Sequence, residues 1–235
     1  MLEGVTSKRL KALTTPHLAD ACLRTATAVR CAPSAIRGVT PSMRCQGEVR
    51  PARHAGSVDV FLEAIASASA GDVLVVDNEG RLDEACVGDL IAMEAKQAGL
   101  SGIVIWGLHR DTPELLDIGL PLFSAGSLPA GPPRVRERHS GVLANAQIGE
   151  WCVSADDVVV ADADGVLFLP KQRLRDVIEI AEHIRDTERH QAESMTKGRS
   201  LREQTKFDEY LKRSKENPSY GFREHLRSVS GAIET

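Results

Sequence analysis

The segment GDVLVVDNEGRLDEACVGDLIAMEAKQAGLSGIVIWG, residues 71–107, decides the fold of this chain. It opens and closes with the stretches 72–77 and 101–107, whose interiors are uninterrupted apolar runs, which are typical of strands buried on both faces. Between them, a polar loop leads into a helix that begins near Gly88 and stops at Gly99. Strand, helix and strand within about 35 residues predict a βαβ unit with parallel strands and a right-handed crossover.

Further elements are predicted on both sides of this unit. Residues 57–72 predict a helix that starts at a serine cap and ends at Gly71. Residues 156–170 indicate a hairpin that turns at Asp164-Gly165, and Thr15 with Pro16 indicates an N-cap and a first-turn proline that open a short helix. The core-facing positions of the helix in 57–72 are expected to be Phe61, Leu62, Ile65 and Ala68.

The chain changes character at Lys171, after which it is highly charged and helical in periodicity. The predicted apolar positions there are Leu174, Val177, Ile178, Ala181 and Ile184, followed after a break at Gly198 by Leu201, Phe207, Tyr210 and Leu211. The simplest organisation is one α/β domain over residues 1–170. A helical extension over residues 171–235 would pack on this body or on a neighbouring subunit.

The composition limits the class of protein. The 235 residues are 42% hydrophobic and 26% charged, and the formal net charge of −4 favours neither nucleic acid nor an anionic membrane as partner. The 5 cysteines are widely spaced and form no C-x-x-C pair, so reduced thiols are expected. No run approaches the roughly 18 apolar residues of a membrane span, and the N-terminus lacks a signal-peptide core. These features predict a cytoplasmic protein.

Polar residues follow the predicted parallel strands where each one ends. Asp77 ends the first strand, and His109, Arg110 and Asp111 come soon after the second. Ligands of open α/β sheets bind beyond the carboxyl ends of parallel strands. The crossover helix begins at the same edge, near Gly88, with its free backbone N–H groups. We therefore expect a small-molecule site at this edge.

The residue types at this edge suit an anionic ligand and a hard metal ion. Arg110 can donate two parallel hydrogen bonds to a carboxylate, next to the anion site of the helix N-terminus. Asp89 and Asp111 supply carboxylate oxygens, which Mg²⁺ and Mn²⁺ prefer. The set favours a metal-assisted reaction of a small carboxylic acid.

The same residues also have a purely structural interpretation. An Arg-Asp pair after a strand is common in surface turns, and Asp89 would stabilise the positive end of its own helix. His109 lacks neighbours at zinc-ligand spacing, and Thr112 looks like a helix cap. On the residues alone, both interpretations stay open.

The motifs taken together resemble the RraA-like family over about residues 15–170. The matching stretches are GDVLVVD, GDLIAMEAKQAGLSGIVIWG, RDTPELLDIGLPLF and DDVVVADADGVLFLP. The most specific part combines a glycine, the Arg110-Asp111 pair and the G-x-P-x-F of 119–123. The family includes class II, metal-dependent 4-hydroxy-4-methyl-2-oxoglutarate / 4-carboxy-4-hydroxy-2-oxoadipate aldolases and proteins named for inhibiting ribonuclease E.

The resemblance implies a fold and an assembly. The fold is an α/β structure of the αββα sandwich type, and the assembly is a homotrimer or hexamer with sites at subunit interfaces. In the aldolases, an acidic residue from the C-terminal region of a neighbouring subunit completes the site. Glu193 is the candidate for that residue in this chain.

The resemblance also implies a role for each residue of the pair and of the helix start. Asp111 would hold Mg²⁺ or Mn²⁺, partly through waters. Arg110 would bind the pyruvyl part of the substrate and stabilise its enolate. Asp89, which lies 22 residues before Asp111, would order or activate a water. The pyruvyl carboxylate would be held by backbone N–H groups at Gly88, Leu90 and Ile91.

The function implied is cleavage of a 4-hydroxy-2-keto acid to pyruvate and a carbonyl product, with oxaloacetate decarboxylation as a secondary activity. One alternative is a protein-binding regulator with a vestigial pocket, which would not need Asp89 and Asp111 together. Another is a metal-dependent lyase or hydrolase acting on a different hydroxy acid. Trp106 and His109 stand where family members usually have an aspartate and a small residue, so a change in specificity is expected.

Overall fold

The computed structural model describes residues 4–138 and 140–229. Its helices are α1 (Gly4–Lys11), α2 (Thr15–Arg24), α3 (Asp59–Ala66), α4 (Asp89–Gln97), α5 (Thr112–Ile118), α6 (Leu174–Thr196), α7 (Leu201–Gln204), α8 (Phe207–Glu216) and α9 (Phe222–Ser228), with a 3-10 helix at Lys171–Arg173. Its strands are β1 (Arg30–Cys31), β2 (Arg37–Gly38), β3 (Cys45–Arg53), β4 (Val73–Asp77), β5 (Ala85–Val87), β6 (Gly102–Trp106), β7 (Leu108–His109), β8 (Leu122–Ser124), β9 (Asn145–Ile148), β10 (Trp151–Ser154), β11 (Asp157–Asp162) and β12 (Gly165–Pro170).

The main sheet has the strand order β1-β12-β11-β3-β4-β6-β8-β2. Its central strands β3, β4, β6 and β8 are parallel, whereas β1, β11, β12 and β2 pair antiparallel with their neighbours. The edge strands β1 and β2 are separated along the chain only by residues 32–36. The sheet is therefore curled, and Arg37 of one edge donates a hydrogen bond to the carbonyl of Asp164 near the other.

The curl gives the sheet two halves that face each other across an inner core. Val75, Val104 and Phe168 contribute to this core, and the hairpin β9–β10 packs into it through Ala146 and Ile148. Along β4, β6, β11 and β12, successive apolar side chains alternate between this core and the outer faces, as the period of a strand requires.

Helices cover both outer faces of the curled sheet. On the parallel half, α3, α4 and α5 contribute Phe61, Ile91 and Leu115 to an outer core. On the antiparallel half, α2 and α6 do the same with Leu18 and Val177. Helix, sheet layer, sheet layer and helix follow one another, so the αββα sandwich that the resemblance implies is confirmed.

The βαβ unit predicted from residues 71–107 is confirmed. β4 and β6 pair in parallel from Val73 with Gly102 to Asp77 with Trp106, and α4 connects them. Gly99 ends the connection with a φ of +82°, a conformation that favours glycine.

The helix predicted for residues 57–72 is shorter than expected, since α3 ends at Ala66. The carboxylate of Asp72 accepts a hydrogen bond from the Ser69 amide at 2.7 Å and pairs with Arg50 Nε at 2.6 Å, which favours a turn in place of further helix. The predicted core position Leu62 is wrong, because its side chain is 45% exposed. The helix buries Val60, Phe61, Ala64 and Ile65.

Two further predictions shift by one residue. The N-cap of α2 is Thr14, because Thr15 instead donates from its amide and hydroxyl to the buried carboxylate of Asp162. The turn of the last hairpin consists of residues 163–164, since Asp162 and Gly165 already pair as strand residues.

The apolar stripe predicted for residues 174–184 is buried on α6 as expected. The second stripe is only partly correct. Leu201 and Leu211 are 38% and 42% exposed, whereas Phe207 and Tyr210 join an aromatic cluster with Phe222. Residues 171–229 are mostly helical, and residues 230–235 of the predicted extension lie outside the described residues. The division into residues 1–170 and 171–235 remains a proposal.

Other sequence-based expectations concern cysteines and membranes. All 5 cysteines are free, with Cys31 and Cys152 exposed. None of the helices in the described ranges combines the length and the apolar character that a membrane span needs.

Candidate functional site

The carboxyl ends of β3, β4 and β6 lie side by side at one edge of the sheet. His54 follows β3 and donates its backbone N–H to the carbonyl of Asp77 at 2.9 Å. Asn78 follows β4 and donates likewise to the carbonyl of Trp106 at 3.1 Å. The edge that the sequence indicates as a ligand site therefore exists as a row of three strand ends.

Two very short strands bring the start of α4 against the residues that follow β6. β5, just before Gly88, pairs in parallel with β7, just before Arg110. The Arg110 amide extends this contact by donating to the carbonyl of Val87 at 3.0 Å. As a result, Asp89 and Asp111, which are 22 residues apart in the chain, lie within hydrogen-bond range of each other.

Arg110 and Asp111 are folded closely over Gly88. Arg110 Nε lies 3.3 Å from Asp111 Oδ2, and the Asp89 amide donates weakly to the same oxygen at 3.4 Å. A Cβ on Gly88 would lie 2.2 Å from Asp111 Oδ2, and one on Gly131 would lie 2.9 Å from Arg110 Nη1. The two glycines thus leave the space in which the guanidinium and the carboxylate are seated.

Asp111 adopts an uncommon backbone conformation, with a φ of +60°. The left-handed region costs a residue with a side chain free energy, although aspartate tolerates it better than most. The conformation reverses the chain between β7 and α5. It is one reason why the Asp111 carboxylate returns toward the start of α4.

The start of α4 offers fewer free amides than the sequence suggests. Asp89 Oδ1 accepts the Leu90 N–H at 2.7 Å, so this amide is already engaged by a carboxylate. The Ile91 amide lies in the first helical turn, where N–H groups have no helical acceptor. An anion that binds here must therefore displace Asp89 from Leu90 or bind at neighbouring amides.

A cleft of about 470 Å³ runs along the first turns of α4. Its lining includes Gly88, Asp89, Leu90, Ile91 and Arg110, which are the residues that the sequence indicates for substrate binding and proton transfer. Asp111 lines a second depression of about 290 Å³ on the other side of Arg110. The Arg110 side chain, 49% exposed, forms the wall between the two.

His109 and Trp106 do not line the cleft in the described structure. His109 is buried, with Nδ1 2.7 Å from Ser124 Oγ and Nε2 3.0 Å from Thr112 Oγ1, and burial lowers the pKa of its imidazole. Trp106 packs against the inner core and covers Gly80. Both residues shape the loop behind the site, and neither one is in position to contact a ligand in the cleft.

His54 lines the cleft and was missed by the sequence reasoning. Its side chain is 1% exposed, stacks on Phe61 at 5.2 Å between ring centroids, and has Nδ1 2.8 Å from Asn78 Oδ1. Glu84, also buried, has Oε1 at 3.8 Å from the same nitrogen. Burial lowers the pKa of His54, so the imidazole is neutral at pH 7.

The donor set fits a metal ion that keeps most of its waters. Within residues 4–138 and 140–229, no group of three or more His, Cys, Asp or Glu side chains forms a metal cage. Asp111, whose side chain is 34% exposed, offers one carboxylate next to the cleft. Mg²⁺ typically binds through one or two carboxylates, several waters and the oxygens of its substrate. Asp111 would suit such an ion, and Mn²⁺ has the same preference for oxygen.

Comparisons with known proteins identify the family of the chain. A family model described as RraA-like: Aldolase/RraA matches residues 15–168. A Halalkalibacterium halodurans protein named "Putative 4-hydroxy-4-methyl-2-oxoglutarate aldolase" is 32% identical over 120 residues, which are 51% of this chain and 56% of that protein. The chain therefore spans little more than half the length of this curated relative.

Solved structures share the fold over most of the chain. An uncharacterized protein from Pseudomonas syringae pv. tomato is 26% identical, with a TM-score of 0.76 over 85% of this chain and 96% of that one. Streptomyces coelicolor RraAS2, described as an unusual member of the RNase ES inhibitor RraA protein family, is 22% identical, with a TM-score of 0.70 over 80% of this chain and 96% of that one. The second likeness concerns the fold alone.

Proposed function

Because the chain belongs to the RraA-like family, we propose that it is a class II, divalent-metal-dependent aldolase. It cleaves a 4-hydroxy-2-keto acid into pyruvate and a carbonyl product. The observation that carries this proposal is the placement of Arg110 and Asp111 over Gly88, at the mouth of a cleft along the start of α4. The aldolase names of relatives at about 30% identity support a lyase acting on a small molecule.

Arg110 is the residue that binds the pyruvyl end of the substrate. Its guanidinium presents a planar set of donors that matches a carboxylate or a keto oxygen, and Gly88 and Gly131 leave the space in which this group is seated. The amides of Leu90 and Ile91, with Gly88 before them, hold the pyruvyl carboxylate at the positive end of α4. Asp89 releases the Leu90 amide when that carboxylate arrives.

Asp111 is the residue that would hold Mg²⁺ or Mn²⁺ beside Arg110. When bound, the ion supplies Lewis-acid polarisation of the keto oxygen. As the bond between C3 and C4 breaks, negative charge develops on that oxygen, and the positive charge of Arg110 stabilises it. Fixed charges of this kind often give the largest single contribution to catalysis.

Asp89 positions the water that receives the proton of the C4 hydroxyl group. Before substrate binds, one oxygen of its carboxylate accepts the Leu90 amide, and the arriving pyruvyl carboxylate releases this oxygen. The other oxygen has no hydrogen-bond partner within the described residues and is free to bind water. The enolate formed by the cleavage then takes a proton at C3 and is released as pyruvate.

Oxaloacetate decarboxylation is the secondary activity that this site would have. Loss of CO₂ from oxaloacetate gives the same enolate, so it uses Arg110 and Asp111 without a base for a hydroxyl proton. The activity therefore tests the pyruvyl part of the site separately from the rest.

The working form is proposed to be a homotrimer or hexamer. Four apolar side chains around the cleft are between 44% and 74% exposed in the single subunit: Val58, Leu62, Leu90 and Met93. Such a group beside a site is expected to be covered by a neighbouring subunit. Glu193, exposed on α6, remains the proposed acidic residue that one subunit contributes to the next.

The proposal is tested by pyruvate release from oxaloacetate, measured with Mg²⁺, with Mn²⁺ and with excess chelator. Metal-dependent release that the chelator abolishes is the expected result. Release unaffected by chelator would contradict the role of Asp111. No release with either metal would favour a protein-binding regulator, or a lyase or hydrolase of a different hydroxy acid.

A further inference from the structure

The charged side chains that one subunit contributes to the cleft favour a substrate with a single carboxylate. Among the described residues that line it, Arg110 is the single permanent cation, whereas Asp89 and Glu94 bring negative charge. Arg110 is engaged by the pyruvyl end in the proposed function. A second carboxylate, on the carbonyl half of the substrate, would lie beside acidic and apolar groups, where the described lining residues of this subunit provide no further permanent cation.

The remaining walls of the cleft are apolar with a few neutral polar groups. Val58, Leu62 and Met93 form an apolar strip on α3 and α4 and the residue before α3. His54, Ser57 and Gln97 are the neutral polar residues that line the same cleft. Such groups recognise hydroxyl or carbonyl groups by hydrogen bonding and do not compensate a charge.

His54 is the best defined of these neutral groups. Asn78 Oδ1 and the carboxylate of Glu84 both face its Nδ1, so the proton of the neutral imidazole is held on that nitrogen. Its Nε2 is then an acceptor, and no described residue hydrogen-bonds to it. Asp59 and Arg136 act on it more weakly and with opposite signs.

We propose that the carbonyl half of the substrate is an uncharged, hydroxylated aldehyde, and that His54 is a specificity-determining residue that accepts a hydrogen bond from its hydroxyl group. The inference rests on the proposed aldolase function and adds the substrate class. Cleavage breaks the bond between C3 and C4, the C4 hydroxyl proton leaves to water, and the enolate gains a proton at C3. The products are pyruvate and a neutral hydroxyaldehyde, with no further reactant.

The test compares kcat/KM for three 2-keto acids on the unmodified protein with Mg²⁺ or Mn²⁺. These are 2-keto-3-deoxygluconate, which gives pyruvate and glyceraldehyde, 4-hydroxy-2-oxopentanoate, which gives acetaldehyde, and 4-hydroxy-2-oxoglutarate, which gives glyoxylate. We expect kcat/KM to be highest for 2-keto-3-deoxygluconate, lower for 4-hydroxy-2-oxopentanoate and lowest for 4-hydroxy-2-oxoglutarate. Each step should be about tenfold or more, because a site discriminates strongly against a ligand that leaves its polar groups unpaired.

The variant His54→Leu identifies the residue responsible. It is expected to lower kcat/KM for 2-keto-3-deoxygluconate by about tenfold or more, with a much smaller change for 4-hydroxy-2-oxopentanoate. His54→Asn keeps a polar side chain and serves as the second variant if the leucine substitution impairs folding. Because the substrate order is measured on the unmodified protein, it stands without either variant.

The outcomes separate this inference from the proposed function. If oxaloacetate is decarboxylated in a metal-dependent way but the dicarboxylate is cleaved fastest, the aldolase proposal stands and the substrate class is wrong. Equal kcat/KM for 2-keto-3-deoxygluconate and 4-hydroxy-2-oxopentanoate, which differ in the hydroxyl groups of the carbonyl half, also overturns the role of His54. If no substrate and no oxaloacetate is converted, the aldolase proposal itself fails.

Discussion

Gly88 and Asp111 approach each other so closely that no other residue type fits at position 88 without moving the carboxylate. A Cβ built on Gly88 would lie 2.2 Å from Asp111 Oδ2 and 3.2 Å from Arg110 Nε. The strand pairing of β5 with β7 fixes this approach, because it ties the two chain segments together directly before these residues. The metal-binding and substrate-binding groups of the proposed site therefore depend on one position without a side chain.

The substitution Gly88→Ala is expected to lower metal-dependent kcat/KM by about 100-fold, because a displacement of the order of 1 Å in a catalytic group has such an effect. The methyl group would push the Asp111 carboxylate and the Arg110 guanidinium away from the cleft. Pyruvate release and Mn²⁺ affinity are the measurements. Gly221→Ala is the matched control, since a Cβ there meets nothing within 4 Å. Equal activity of both variants would contradict the arrangement.

The substitution Arg110→Lys is expected to lower kcat for pyruvate release by about 10²- to 10³-fold, as for the loss of a donor that stabilises a developing oxyanion. Lysine keeps the charge but loses the planar, paired donors of the guanidinium. Steady-state kinetics with oxaloacetate measures this effect without involving proton removal from a hydroxyl. Arg138→Lys is the control, because Arg138 pairs with Asp59 and Glu63 on the surface. Full activity of Arg110→Lys would exclude the electrostatic role.

The preference for uncharged substrates is expected to weaken at acidic pH. Burial lowers the pKa of His54, so the imidazole is neutral at pH 7 and gains its charge only as the pH falls below the usual value of about 6.5. A protonated His54 adds a second cation to the cleft. The ratio of kcat/KM for 4-hydroxy-2-oxoglutarate to that for 4-hydroxy-2-oxopentanoate should therefore rise from pH 7.5 to pH 5.5. His54→Asn should flatten this profile, and an unchanged slope in that variant would assign the effect to another group.

The substitution Leu62→Lys is expected to shift specificity toward dicarboxylates. Leu62 lines the cleft, so a lysine there would bring a cation close to the carbonyl half of the substrate. An increase of about tenfold in the relative kcat/KM for 4-hydroxy-2-oxoglutarate corresponds to about 1.4 kcal/mol, the order of an ion pair near a protein surface. Leu211→Lys, at a position 42% exposed on α8, controls for the change in net charge. The same shift in both variants would show that net charge, and not a cation in the cleft, causes the change in specificity.

The sandwich and its βαβ unit could be predicted because their signals are long and physically strong. The apolar interiors of residues 72–77 and 101–107 indicate buried parallel strands, and residue 99 has a positive φ that favours glycine. The stripe on α6 is equally regular, and every predicted position from 174 to 184 is buried. Elements with several consistent positions are thus the ones that sequence reasoning identifies.

The short strands and side-chain contacts that form the site leave weaker signals in the sequence. β5 and β7 are only 3 and 2 residues long, too short for any periodicity, yet they bring Gly88 next to Arg110. His54 was missed because β3 lies in a stretch rich in proline, glycine and arginine, with Pro51 inside the strand, so its end was not recognised. The capture of the Leu90 amide by Asp89 is a local choice of side-chain rotamer, which no sequence pattern reveals.

The most direct measurement of the central claim is exchange of the methyl protons of pyruvate for deuterium in D₂O, followed by NMR with Mg²⁺ or Mn²⁺ present. Exchange requires only the enolate that Arg110 and Asp111 are proposed to stabilise, so it does not depend on the carbonyl half of the substrate. The account predicts metal-dependent exchange by the unmodified protein and its loss in Asp111→Asn and Arg110→Lys. Absence of exchange in the unmodified protein, or exchange in the two variants at the rate of the unmodified protein, would contradict the assignment of a pyruvyl-enolate site.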